Sequence, residues 1–131
     1  MPWTFDQVAG PFDFTEGPAW DGETVLFTDI PTSRILRYDP RSGETTVFRT
    51  GTNEANGLMF DRDGQLYACE GGDGVTFSKE GQTYTSDGRR MVRYEKDGGL
   101  TVICDQFEGQ RFNSPNDLAF DPLGRMWFTD P

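Results

Sequence analysis

Glu16-Gly17-Pro18-Ala19-Trp20-Asp21-Gly22-Glu23-Thr24-Val25-Leu26-Phe27-Thr28-Asp29 sets a pattern that returns twice. Its opening superimposes without gaps on Asn56-Gly57-Leu58-Met59-Phe60-Asp61 and on Asn116-Asp117-Leu118-Ala119-Phe120-Asp121. After each opening comes an acid-and-glycine turn and then an apolar run closing on a carboxylate: Leu26 to Asp29, Leu66 to Glu70, Met126 to Asp130. Repetition of one opening at a period near 40 residues marks a propeller or a solenoid before any local motif is weighed.

Two further strands complete the first two units. Arg34-Ile35-Leu36-Arg37-Tyr38 matches Arg90-Met91-Val92-Arg93-Tyr94, each with the alternation of a half-buried strand. Thr45-Thr46-Val47-Phe48 and Thr101-Val102-Ile103 follow glycine turns as fourth strands. Four strands per unit make a propeller blade, and a sandwich has no reason to repeat its opening motif. The spacing is 40 from Glu16 to Asn56 but 60 from Asn56 to Asn116. The excess falls between strands, chiefly where residues 71–89 stand in place of 30–33. That insert is polar and glycine-rich, so it is expected to be a surface loop. No stretch carries a helical period.

The expected fold is therefore all-β, an incomplete β-propeller of about two and a half to three four-stranded blades in a single domain over residues 1–131. Blade one spans about 16–50, blade two about 56–104, and the inner half of blade three about 115–131. Such a chain is expected to be the first part of a ring, and its open strand edges would invite self-association.

Composition removes whole classes of chemistry. There is no histidine, which excludes an imidazole base, a Ser-His-Asp triad and a His-ligated zinc or haem centre. With 22 acidic against 12 basic residues the net charge is -10, so no basic face is offered to nucleic acid. Cations and neutral small molecules are the fitting partners. The amino terminus has neither the basic segment nor the apolar run of a secretory signal, and nowhere do 18 apolar residues follow one another. No membrane association and a cytoplasmic location are expected. Cys69 and Cys104 lie in no CxxC motif and suit buried thiols on strands.

In a propeller the innermost strand of each blade lines the central channel, so Glu16, Asn56 and Asn116, at equivalent positions, should converge on one axis. A carboxylate and two carboxamides form an all-oxygen cluster of the kind that hard cations choose. The bland alternative is that these residues serve turns at strand starts. Asp29 and Asp130, which close second strands, fit turn-forming carboxylates better than ligands.

Glu16-Gly17-Pro18-Ala19-Trp20, Ala55-Asn56-Gly57-Leu58 and above all Arg111-Phe112-Asn113-Ser114-Pro115-Asn116-Asp117 with Trp127-Phe128-Thr129-Asp130-Pro131 resemble the senescence-marker-protein/gluconolactonase/luciferin-regenerating-enzyme family of six-bladed propellers. The resemblance implies a divalent-metal-dependent lactonase acting on a sugar lactone such as gluconolactone. It implies Glu16 and Asn116 as metal-site residues, Arg111 and Asn113 as substrate-positioning residues, and Asn56 as a channel-lining one. Ca²⁺ is the expected ion, with Mg²⁺, Mn²⁺ and Zn²⁺ as alternatives. The family draws further ligands and its general-base aspartate from later blades, which nothing in these residues matches, so little activity is expected of this chain alone. Two other arrangements fit the same residues: two such chains closing a ring together, and a propeller that binds or scaffolds without catalysis, since fold alone fixes no function.

Overall fold

The computed structural model describes residues 2–72, 76–79, 82–85 and 88–131. Strands β1 (Thr15–Trp20), β2 (Val25–Asp29), β3 (Arg34–Asp39) and β4 (Glu44–Thr50) form one antiparallel sheet in that order. A second sheet is ordered β5 (Ala55–Phe60), β6 (Leu66–Glu70), β9 (Arg90–Tyr94) and β10 (Leu100–Cys104). Between β6 and β9 lies a separate hairpin of β7 (Thr76–Lys79) and β8 (Gln82–Thr85). A short hairpin of β11 (Gln106–Phe107) and β12 (Gln110–Arg111) precedes the last pair, β13 (Leu118–Phe120) and β14 (Met126–Phe128). The architecture is that of an incomplete β-propeller: two four-stranded blades and a two-stranded third.

The hairpin corrects one expectation. Residues 71–89 are not loop throughout, because Thr76–Lys79 and Gln82–Thr85 pair as strands. Thr-Phe-Ser-Lys and Gln-Thr-Tyr-Thr alternate β-formers with polar residues, a period-2 signal masked by the surrounding glycines. The expectation for residues 73–75, 80–81 and 86–87 lies outside the described residues. Ile30–Thr32, a single 3-10 turn, is the sole helical element among the described residues. Among the described residues no helix is long and apolar enough to cross a membrane.

Turns follow repeated chemistry. Asp21, Asp61 and Asp121 each end an inner strand and accept backbone amides of the turn that follows: Asp21 from Glu23 and Thr24, Asp61 from Asp63 and Gln65, Asp121 from Leu123 and Arg125. An aspartate that satisfies its own turn makes each inner hairpin locally self-specified. The blades then stack face to face. Ala19, Leu26 and Ile35 from the first meet Ala55, Leu58, Leu66, Ala68, Val92 and Tyr94 from the second. Cys69 and Met91 of the second blade share another core with Phe112 and Leu118. Alanine at 19, 55 and 68 keeps side-chain bulk small where the two blades pack together.

This double packing also explains why β9 buries Met91, Val92 and Tyr94 rather than alternating cleanly. A blade in the middle of the stack has neighbours on both faces, so successive residues of β9 are buried, while the outer strand β10 still exposes Val102 and Ile103. Cys69 is fully buried on β6 and Cys104 half-buried at the end of β10, and both are free thiols. Burial pushes the Cys69 thiol up to about 12, helped by the nearby Asp117 carboxylate. That makes it an inert packing group.

Candidate functional site

Glu16 and Asn56 occupy matched irregularities in their strands. Between Glu16 and Ala19, β1 carries one residue more than β2 does between Thr28 and Leu26. β5 also carries one extra residue, between Ala55 and Leu58 opposite Glu70 and Ala68, so that Asn56 lies within the shift and Glu16 at the edge of its own. A β-bulge turns a side chain away from the regular pleat and is common beside functional sites. Gly17, at φ +54°, supplies the backbone freedom the first bulge needs.

The bulges bring the inner strands unusually close. The amide of Gly57 donates to the Asn116 carbonyl at 2.8 Å. The Thr28 hydroxyl lies 3.1 Å from the Glu16 carbonyl and 3.0 Å from the Asn56 carbonyl, spanning blades one and two at site level. In blade three, Thr129 stands at the place equivalent to Thr28. Its Oγ1 accepts from the Asp117 amide at 3.1 Å, and its carbonyl accepts from the Asn116 amide at 2.9 Å. The side chains follow the backbones: Asn56 Nδ2 donates to Asn116 Oδ1 at 2.6 Å. Glu16, Asn56 and Asn116 line one groove of about 410 Å³ together with Gly17, Gly57 and Asp117. Thus the structure gathers the three residues whose equivalence the repeats disclosed.

Arg111 and Asn113 are not among the residues lining this groove. They lie on the stretch that runs from the end of β12 to β13, which is pinned by two buried residues. Phe112 is buried against Phe128, with ring centroids 5.1 Å apart, and Pro115 is fully buried, while Arg111, Asn113 and Asn116 face outward. Arg111 Nη1 donates to Asp105 at 3.3 Å in an exposed pair. The Asn113 side chain donates to the Pro131 carbonyl.

The carboxylates that close second strands hold loops. Asp130 accepts the amides of Asn113 at 2.8 Å and Ser114 at 2.6 Å, fixing the segment that carries Asn113. Asp29, fully buried, accepts from the Phe14 amide, the Thr32 hydroxyl and Arg34. Glu70 is the member that sequence reasoning did not single out. It is fully buried, accepts from Arg90 Nε at 2.7 Å and from the Tyr94 hydroxyl at 2.8 Å, and is pushed up by burial. Its signal was its alignment with Asp29 and Asp130.

The polar side chains lining the groove all offer oxygen: the Glu16 and Asp117 carboxylates and the Asn56 and Asn116 carboxamides, with the Met59 thioether the one sulfur in the lining. Such a set fits a divalent cation of the Ca²⁺ or Mg²⁺ type.

The fold and this groove define a class: a β-propeller whose inner strands gather oxygen donors at one end. Residues 14–131 match the family model described as the SMP-30/Gluconolactonase/LRE-like region, and the chain belongs to that family. A gluconolactonase of Zymomonas mobilis is 30% identical over 139 residues, covering 95% of this chain and 35% of that protein. The solved gluconolactonase of Xanthomonas campestris superimposes with a TM-score of 0.77 at 29% identity, over 95% of this chain and 37% of that one. A solved putative gluconolactonase gives 0.76 at 31% identity, over 96% and 39%. Virginiamycin B lyase from Staphylococcus aureus, at 18% identity and a TM-score of 0.59, shares the fold. The chain spans about a third of the length of the relatives it matches.

Proposed function

We propose that this chain forms the metal- and substrate-facing first part of a divalent-metal-dependent lactonase that hydrolyses a sugar lactone such as gluconolactone. The observation that carries the reading is the convergence of Glu16, Asn56 and Asn116 on one groove, with Asn56 bonded to Asn116 across two blades. Membership of a family whose relatives include gluconolactonases supports the substrate class.

Glu16 contributes the one formal negative charge of the three, and the carboxamides contribute neutral oxygens. The 2.6 Å bond fixes how Asn56 and Asn116 face each other, and Asn116 Oδ1 keeps a second lone pair for a ligand. When bound, a divalent cation, Ca²⁺ in the first instance, polarises a lactone carbonyl and stabilises the charge that develops as water adds. Arg111 and Asn113 lie outside the groove lining, on the segment fixed by Phe112, Pro115 and Asp130, and their role is to meet the hydroxyls of a ring that extends beyond the groove. The acidic surface concentrates cations and does not repel a neutral lactone.

The deciding experiment is calorimetric titration of Ca²⁺ into the protein and its Glu16→Gln variant, alongside gluconolactone hydrolysis followed by acid release. The variant should bind Ca²⁺ about 100-fold or more weakly, since a lost ligand costs at least as much as a lost supporting contact. Equal Ca²⁺ affinity in the two proteins would remove the centre from the proposal. Protein-dependent hydrolysis above the spontaneous rate that a chelator leaves unchanged would remove the metal from the chemistry.

A further inference from the structure

At the opposite ends of β1 and β5 from Glu16 and Asn56, blades one and two enclose a second cavity of about 390 Å³ that shares no lining residue with the groove. Both of its walls come from this chain. Arg37, Arg49 and Lys96 line it, and none of them forms an ion pair with a described residue, in a chain whose net charge is -10. The other charged lining groups are two carboxylates hydrogen-bonded outside the cavity, of which Asp21 also attracts Arg37 electrostatically. Asp21 accepts the Thr24 amide and hydroxyl at 2.7 Å each and the Glu23 amide at 2.9 Å. Glu95 accepts from Arg93 at 2.8 and 2.9 Å and from Thr101 at 2.6 Å.

Both arginines are braced on aromatic rings. The Arg37 guanidinium lies over the Phe48 ring, 4.6 Å from its centroid, and that of Arg49 over the Tyr94 ring at 4.3 Å. Tyr94 is itself fixed by its hydroxyl on Glu70. A guanidinium is the side chain best suited to bidentate recognition of a carboxylate. Phe60 and Leu66 supply apolar wall.

We propose that this inter-blade cavity binds a small organic carboxylate with a flat apolar body. The carboxylate sits at Arg37 and Arg49 and the body against Phe60 and Leu66. Lys96 at the rim adds attraction on approach and no geometry. The site is independent of the groove and does not rest on the lactonase proposal.

The probe is 4-hydroxybenzoate, titrated into the protein by calorimetry beside its neutral counterpart 4-hydroxybenzyl alcohol. Saturable 1:1 binding of the acid is expected, with the alcohol about tenfold or more weaker, the size of a lost charge-assisted contact. Arg49→Gln and Arg37→Gln should each weaken the acid about tenfold, and Arg49→Lys should recover only part, because lysine lacks the planar fork. Exposed Lys96→Gln, which touches no core, should weaken it about twofold and flatten its dependence on salt. Equal binding of acid and alcohol reduces the cavity to an apolar cleft and overturns the proposal. So does an absence of saturable binding, or undiminished affinity in folded Arg37 and Arg49 variants. If either arginine variant fails to fold, the acid–alcohol comparison on the unaltered protein and on Lys96→Gln still decides.

Discussion

Glu70 shows how one side chain in this fold can carry both stability and its dependence on pH. It sits at 0% exposure, where an ionised carboxylate survives only by being bonded, and Arg90 and Tyr94 bond it. Removing it strands both partners, so Glu70→Ala should cost about 3–5 kcal/mol in denaturant unfolding. Burial raises its pKa in the fold against the downward pull of Tyr94 and Arg90. A raised carboxyl contributes its stability below the unfolded value and loses it as pH climbs through the folded one. The stability of the protein relative to Glu70→Gln is therefore expected to fall as pH rises from below the ordinary carboxylate range toward neutrality. A difference that rises with pH would show Arg90 to dominate instead. Asp29 and Asp130 occupy the same place in their units, and the sequence was enough to assign them to local structure. What they hold, respectively the Phe14 amide with Arg34 and the Asn113–Ser114 amides, needed the fold.

Among the elements, β1 and β5 do most to make the groove, and they do so by departing from regularity. Gly17 and Gly57 follow the two site residues for different reasons. Gly17 needs positive φ, and a Cβ there would also strike the Asn56 carbonyl. At Gly57 the backbone would accept alanine, but its Cβ would stand 2.7 Å from the Asp117 Cα and 2.8 Å from the Asn116 carbonyl. Gly57→Ala should accordingly destabilise by about 1–3 kcal/mol through overpacking alone, and should weaken Ca²⁺ binding by pushing β13 from β5. A stability and metal affinity matching the unaltered protein would mean that the inner strands can separate without consequence. The sequence displayed Glu-Gly and Asn-Gly at matched places, and a bulge could have been inferred from them. The β7–β8 hairpin was harder to foresee, because its strands are short and the turn residues around them dominate the local pattern.

Over the whole molecule, the stack of blades leaves apolar side chains uncovered at both ends. Pro18, Val25 and Phe27 line one surface depression, and Leu118, Ala119, Trp127 and Phe128 line another. Trp127 alone is 61% exposed. Sedimentation of the 14.8 kDa chain is expected to show association that grows with concentration and persists in high salt, as apolar contacts do. A monomer at all concentrations would mean that the charge of -10 outweighs these faces.

The repeat determined the architecture from the sequence alone, because each blade must present the same turn acid, the same apolar strand and the same closing carboxylate to neighbours built alike. It also aligned Glu16, Asn56 and Asn116, since positions equivalent within a repeat become equivalent about an axis. Only the tertiary structure decided that Asn56 and Asn116 meet at hydrogen-bond distance, that Glu70 is buried as an ion-pair partner, and that Arg37 and Arg49 flank one cavity. Those facts depend on how closely two blades approach and at what offset, and that distance is fixed by side chains far apart in the chain rather than by any pattern within one strand.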